Sequence, residues 1–285
     1  VVESHDEGPR PGWRRRVKGT VVPSIVRRAS GILAVGTLAA RSMTARGARA
    51  DRVRVFANTI DVKEFGERAA GLAARRPQLR EAVGAGPEDV VVLSVGRLAR
   101  EKRLDLLVRA VADAGDPRLL LVLVGEGPER AQLETLCRRL DVRAALIGDT
   151  PWERIVETYV LADVFALLSE RETWGVAVNE AAACGLPLLL SDRVGSAHDL
   201  LHDGDNGVLV PGGDVDAAAR ALRLLAADSG ERSRMGARSQ AIAASWGYEP
   251  SVEAFVATVR EAVLHGGARP GGVWTPLDTA SSADR

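Results

Sequence analysis

Two carboxylates, Glu172 and Glu180, stand with seven residues between them in the run SERETWGVAVNEAAACGLP. The run follows a short apolar stretch, Val164 to Leu168, and leads into a small-residue helix that ends at Gly185-Leu186-Pro187. A carboxylate on a loop and another inside the next helix can grip a polyhydroxylated ligand at two points, a sugar and a ribose. Gly175 permits close backbone approach. The free N–H groups of a helix opening at Val176 favour an anion. Side chains on a helix lean toward its N-terminus. Glu180 can therefore reach a ribose diol while the amides near Gly175 and Val176 hold a phosphate. Glu172, ahead of the helix, can touch the hydroxyls of a transferred sugar. The competing reading is a pair of surface glutamates; Gly175 and the Ala181–Ala183 run weigh against it.

A complementary set of charges lies upstream in VGRLAREKRLDLL. Gly96 and Arg97 come directly after an apolar run, and Lys102 follows five positions later, near a helix start. Two fixed cations at the mouth of a sheet can neutralise a diphosphate. Lys102 is one of only three lysines among 38 basic residues, where composition alone would have placed arginine. Taken by itself the segment reads equally well as a solvated charge run.

These residues need a scaffold, and the spacing supplies one. Apolar runs of strand length fall at 90–95, 119–124, 144–147, 164–168, 188–190 and 208–210. Segments with helical spacing lie between most of them, at 104–114, 129–140, 152–161 and 177–184. Near-continuous apolar strands alternating with helices predict an α/β fold, a doubly wound parallel sheet covered on both faces. In such sheets ligands bind beyond the C-terminal ends of the strands, which is where Gly96, Arg97 and Glu172 fall. Residues 89–264 would hold this sheet domain. Residues 30–58 (SGILAVG, LAARSMTARG, DRVRVFAN) form a further β-α-β piece too small to stand as a domain. Residues 59–88 read as a linker with an Arg-rich helix, 1–29 as a basic segment and 265–285 as a disordered tail. Asp214 or Asp216 is placed to cap a helix running to Ala227.

Bulk properties narrow the function class. The 285 residues are 46% hydrophobic and carry no formal net charge, so no global field recruits nucleic acid. The charge is unevenly spread: residues 1–54 hold twelve Lys/Arg against four Asp/Glu. That segment can rest on anionic lipid or simply form a solvated helix face. Cys137 and Cys184 are the sole cysteines, expected as small buried side chains in a reducing cytoplasm. No run is long enough to span a bilayer, and the opening residues lack the apolar core of a signal peptide. The chain opens on Val1, so the natural start is expected upstream.

Taken together, five segments in order resemble the retaining GT-B glycosyltransferases of the group-1 or family-4 class, over roughly residues 30–264. NTIDVKEF resembles the interdomain linker, VGRLAREK the phosphate loop and VGEGPER the second strand-turn. ADVFALLSERETWGVAVNEAAACGLPLLLSD resembles the two-glutamate signature, and DGDNGVLVPGGD the strand-turn after it. The resemblance implies the C-terminal, donor-binding half of a GT-B fold with only a remnant of the N-terminal, acceptor-binding domain at 30–58. It implies that Arg97 and Lys102 bind the donor diphosphate, Glu172 contacts the donor sugar, Glu180 holds the ribose, and Gly195 and Ser196 lie near phosphates or sugar. The implied reaction moves a hexosyl group from a nucleoside-diphosphate sugar to a hydroxyl of a sugar, glycan or lipid-linked acceptor. Anomeric configuration is retained, and no metal or other cofactor takes part. Many such relatives work at the inner face of the membrane, which makes a peripheral membrane contact an expectation. Four departures stand out: Thr59 and Arg103 where glycine is usual, and Ser196 and Asp199 where Gly and Glu are common. A chain holding half of the fold is expected to be doubtful in full turnover.

Other signals carry less. Gly125-Glu126-Gly127 follows a strand as a dinucleotide loop does, but Arg130 stands where its third glycine belongs. Asp203/Asp205 and Asp214/Asp216 spell Asp-x-Asp and fit turns or helix caps better than a metal. His198 and His202 share a helical spacing without an evident third ligand. Trp174 suits stacking on a ligand as well as it suits the core. A nucleotide-sugar epimerase and a non-catalytic donor-binding module remain as alternatives.

Overall fold

Strands written almost entirely in Val, Leu and Ala have no polar face to offer water, so each must be covered on both sides. The computed structural model describes residues 12–265; the first eleven residues of the basic segment and the expected tail after His265 lie outside the described residues. Helix α1 (Gly12–Arg28) precedes a small unit of β1 (Ile32–Ala34), α2 (Thr37–Ala45) and β2 (Val53–Val55). Helices α3 (Val62–Leu72) and α4 (Arg76–Glu81) lead into the main alternation. This runs β3 (Val90–Val95), α5 (Leu104–Ala114), β4 (Leu119–Val124), α6 (Arg130–Arg139), β5 (Ala144–Gly148) and α7 (Ile155–Val160). It continues through β6 (Val164–Leu167), α8 (Val176–Ala183), β7 (Leu188–Ser191), α9 (Ala197–Leu200) and β8 (Gly207–Val210). Helices α10 (Val215–Ala227), α11 (Ser229–Ala243) and α12 (Tyr248–His265) follow.

The large sheet is parallel throughout, in the order β5-β4-β3-β6-β7-β8. Successive residues of each strand feed opposite cores. Val91, Leu93, Phe165 and Leu167 pack with Phe65, Tyr159 and Val178 from α3, α7 and α8. Val90, Val92, Val164 and Ala166 pack on the other face with Leu107, Val108 and Leu222 from α5 and α10. The alternation explains why both sets of strand positions are apolar. Strand order reverses between β3 and β6, so the loops leaving those two strands diverge and open a crevice at their C-terminal ends. Segments 96–102 and 168–175 are those loops.

The segment 59–88 is packed rather than loose. Phe65 is fully buried, and Asp61 starts α3 by accepting from the Glu64 N–H at 2.8 Å. Asp214 caps α10 by accepting from the Ala217 N–H at 2.8 Å. The small unit has its own core of Val26, Ile32, Met43 and Ala48. Its strands pair in parallel, Ile32 with Val53 and Ala34 with Val55, as a two-stranded sheet. Helix α12, from the far end of the chain, returns to pack on both strands. Arg54 pairs with Glu261 at 2.5 Å, and a Cβ on Gly31 would lie 2.4 Å from Thr258 Cγ2.

Candidate functional site

Lys102 ends a 3-10 turn at 100–102 in the loop leaving β3. Its stem passes Gly96, with Cε 3.9 Å from where a Cβ on that glycine would stand. The ammonium group forms an ion pair with the Glu172 carboxylate, 70 residues away in the loop leaving β6. Both side chains are mostly buried, 21% and 15% exposed. Charged groups so placed are held by each other and by the loops, which fixes their positions before a ligand arrives.

Glu172 is strapped by its backbone to the loop after β7. Its N–H donates to the Arg193 carbonyl at 3.3 Å, and its own carbonyl accepts from Gly195 at 2.9 Å. Ser196 N–H donates to the Trp174 carbonyl at 3.0 Å, and the Ser196 hydroxyl is buried without a hydrogen-bond partner. Gly175 has φ 92°, a left-handed conformation that favours glycine, and turns the chain into α8 at Val176. The fold thus brings Gly96, Lys102, Glu172, Gly175, Val176, Gly195 and Ser196 into one neighbourhood. Glu172, Gly175 and Val176 line a hollow of about 590 Å³ with Asn58 and Thr59.

Arg97 is exposed on its loop and makes no side-chain hydrogen bond or ion pair among the described residues. The Glu180 carboxylate, within α8, accepts from the Tyr159 hydroxyl of α7. Burial pushes the Glu180 carboxyl above its ordinary range, and the Tyr159 O–H partly opposes that. Burial beside Glu180 in turn raises Tyr159, which keeps the phenol protonated as a donor.

Sequence reasoning missed several supporting residues. Tyr159 is one, because 21 residues separate it from Glu180 and nothing local signals the contact. Asp199 shows in the sequence only as a departure, without its contact: it accepts from Thr37 N–H at 3.0 Å and from the Thr37 hydroxyl, holding the start of α2 of the small unit across 162 residues. Its departure from the usual Glu was the available signal. Thr59 hydroxyl donates to the Trp246 carbonyl and accepts from Asn179 at 3.3 Å, while Asn179 accepts from Trp174 Nε1 at 2.8 Å. Trp174 is 2% exposed and packs at 5.6 Å from the Trp246 ring, so its place is in the core. Helix α9 stops at Leu200, which leaves His202 off the helix that His198 occupies. Asp203 binds the Leu209 N–H, and Asp205 pairs with Arg234 and Arg238.

The crevice depends on close approach of two backbones. A Cβ on Gly125, which has φ 131°, would stand 2.2 Å from the Gly96 carbonyl oxygen. Gly125→Ala is therefore expected to lower unfolding free energy by about 1–3 kcal/mol and to displace the Gly96-Arg97 loop. Chemical denaturation alongside nucleotide titration checks this; unchanged values for both would remove the loop contact from the account.

Known proteins resemble this chain in sequence and in fold. Residues 75–241 match the family model described as glycosyl transferases group 1. A D-inositol 3-phosphate glycosyltransferase of Xylanimonas cellulosilytica is 33% identical over 228 residues, covering 78% of this chain and 54% of that protein. A sulfoquinovosyl transferase of Arabidopsis thaliana is 29% identical, covering 79% and 43%. The chain thus spans about half the length of the curated relatives it matches. Among solved structures, Anabaena HepE in complex with UDP superposes with a TM-score of 0.75 at 22% identity, covering 90% of this chain and 71% of that one. The glycosyltransferase WaaG, involved in lipopolysaccharide biosynthesis, gives 0.67 at 20% identity, covering 79% and 61%.

Proposed function

The chain belongs to the group 1 glycosyl transferases, and on that premise we propose that it carries the nucleotide-sugar side of a transfer reaction: a hexosyl group moves from a nucleoside-diphosphate sugar to a hydroxyl, with retention. The observation that carries this reading is the Lys102–Glu172 pair, held between the β3 and β6 loops at the strand-order reversal and beside the N-terminus of α8. As the bond from sugar to β-phosphate breaks, negative charge grows on the leaving diphosphate. Lys102, Arg97 and the amides at Gly175 and Val176 are the groups available to stabilise it. Glu172 holds Lys102 in place and meets the sugar hydroxyls. Retention follows if the acceptor hydroxyl attacks from the face the diphosphate leaves, the departing phosphate taking its proton. No cofactor or metal is assigned a part.

Residues 30–58 belong, in this reading, to the acceptor side, tied to the donor side by Asp199 and α12. Because the relatives run to about twice the matched length, the chain by itself is expected to bind donor more readily than it completes a transfer. No helix among the described residues is long and apolar enough to cross a membrane; a peripheral contact through the basic N-terminal segment stays part of the proposal.

The test is direct binding. UDP is the first probe because the HepE neighbour was solved with it. Isothermal titration of the chain with UDP and with UDP-glucose should give saturable one-site binding; its absence for every nucleoside diphosphate tried would defeat the reading. The pH profile adds a sharper expectation for Glu180. Its folded-state pKa is raised by burial, so the ribose-accepting carboxylate forms only as pH rises through that raised value. UDP affinity should therefore climb with pH above the ordinary carboxylate range. Tyr159→Phe removes a hydrogen bond that favours the carboxylate, so the climb should move to higher pH. A profile identical in the two proteins would take Glu180 out of ribose binding.

A further inference from the structure

A hydrogen-bond relay runs beside the Glu172 loop. Trp174, two residues after Glu172, donates its indole N–H to Asn179 Oδ1 at 2.8 Å. Asn179, immediately before Glu180 on α8, donates from Nδ2 to the Thr59 hydroxyl at 3.3 Å, and that hydroxyl donates to the Trp246 carbonyl. The direction of the relay is fixed at both ends, because an indole N–H can only donate and a carbonyl can only accept. The Asn179 amide therefore has one orientation that satisfies both neighbours. Trp174 is 2% exposed and Asn179 0%. Side chains so deeply covered act on a ligand through the residues they hold.

What they hold is Glu172. Backbone contacts fasten the segment 172–174 on one side: Gly195 donates to the Glu172 carbonyl at 2.9 Å and Ser196 to the Trp174 carbonyl at 3.0 Å. The indole fastens it on the other, through Asn179 and against the Trp246 ring at 5.6 Å. Thr59 lies in the stretch that leads from β2 into α3, and Trp246 lies just ahead of α12, which packs on β1 and β2. The relay thus joins the Glu172 loop to the two segments that lead to the small unit. Gly36 makes a third connection. Its φ of −177° is extended backbone open to any residue, yet a Cβ there would stand 2.4 Å from Trp174 Cζ3 and 2.7 Å from Asp199 Oδ2. The missing side chain makes room for the indole, so the small unit packs directly against Trp174.

We propose that Trp174 and Asn179 are positioning residues that set the Glu172 carboxylate against the donor sugar, and that the seating of the small unit on Trp174 is part of that setting. The inference rests on the reading above, in which Glu172 meets the sugar hydroxyls. Only Thr173 separates the indole from Glu172 in the chain, so a turn of the ring moves the carboxylate. Displacements of about 1 Å are enough to spoil a binding geometry. The two ends of the donor feel such a shift differently. Attraction between an ammonium and a diphosphate falls only as the inverse of distance, whereas a hydrogen bond to a hydroxyl is lost once it leaves a narrow range of length and angle. A displaced Glu172 loop is therefore felt by the sugar before the diphosphate.

Isothermal titration of the whole chain with UDP and with UDP-glucose reads the effect as a ratio of affinities. Trp174→Phe keeps a ring and removes the indole N–H. It should weaken UDP-glucose by about tenfold relative to UDP, the size of one lost hydrogen bond to a charged group. Retained UDP affinity certifies the fold. Gly36→Ala displaces the indole from the small-unit side and should move the ratio in the same direction; it carries the test by itself if Trp174→Phe fails to fold. The double variant Trp174→Phe, Asn179→Leu removes a donor and its acceptor together, so no buried group of the pair is left unsatisfied. It should recover the unfolding midpoint that the single variant loses while the UDP-glucose deficit stays. A merely structural role requires UDP-glucose affinity to recover along with stability, and that result overturns the proposal. Equal changes in the two affinities, or none in either, overturn it as well and leave the donor reading standing. A wild-type chain that binds UDP but not UDP-glucose overturns it with diphosphate binding intact. Failure of UDP to bind at all defeats both.

Discussion

Replacing Lys102 with alanine is expected to lower donor turnover by about 10²- to 10³-fold, the range found when one preorganised donor is removed from a developing oxyanion. The magnitude follows from position. The ammonium group sits in a largely buried pair at the crevice mouth, so water screens it little. Turnover is to be read in an enzyme completed with an acceptor-binding half, and UDP affinity in the chain alone, where a loss of about tenfold is expected. Lys102→Arg should rescue poorly. The lysine places a compact ammonium on the Glu172 carboxylate, and a planar guanidinium fork on a longer stem does not occupy the same point.

A purely structural role for Lys102 makes a different set of predictions. If it merely neutralises Glu172, then Glu172→Gln should restore both the stability and the UDP affinity that Lys102→Ala loses, because no buried charge is left unpaired. If Lys102 itself meets the diphosphate, the double variant regains stability but not UDP affinity. Near-normal turnover in the single lysine variant would remove it from the mechanism.

The large sheet was legible because burial on both faces leaves an unmistakable record. Strands such as Leu119–Val124 contain no residue that water could solvate well, and their spacing leaves room only for covering helices. Gly96, Lys102, Glu172 and Gly175 could be found for a related reason: each sits at a strand end, where the fold class itself puts ligands. Contacts that join distant segments left no such record. The Tyr159 hydroxyl meets Glu180 because α7 and α8 lie side by side, and periodicity cannot say which helix faces which. Trp174 was ambiguous for a chemical cause: an indole serves equally as a stacking surface and as core, and only the Asn179 and Trp246 contacts decide.

Substituting Asp163 by alanine should cost more stability than any change at the crevice. Asp163 stands just ahead of β6 with its side chain 13% exposed, and three donors converge on it. The Val91 N–H of the adjacent central strand, Arg80 and Arg76 each approach to 2.7 Å. Arg80, 7% exposed, spends its remaining N–H groups on the carbonyls of Leu161, Gly86 and Asp89. The cluster thus pins α4 to the first turns of β3 and β6. Deleting the carboxylate strands a buried guanidinium and a strand N–H together, a change that costs about 3–5 kcal/mol, or on the order of 10 °C in Tm for a protein of this size. Acid titration checks the cause. Burial alone would raise this carboxyl, but the Val91 N–H and the two arginines outweigh it and hold its pKa below the ordinary value. Its stabilisation is therefore complete above the unfolded-state pKa of about 3.9 and disappears as pH falls through the lower folded-state value. Urea unfolding of wild type and Asp163→Ala should differ by a constant amount near neutrality, and the difference should narrow only as pH falls below about 4. A gap under about 1 kcal/mol at pH 7, no larger than an exposed pair provides, would show that the cluster is ornament on a sheet that stands without it.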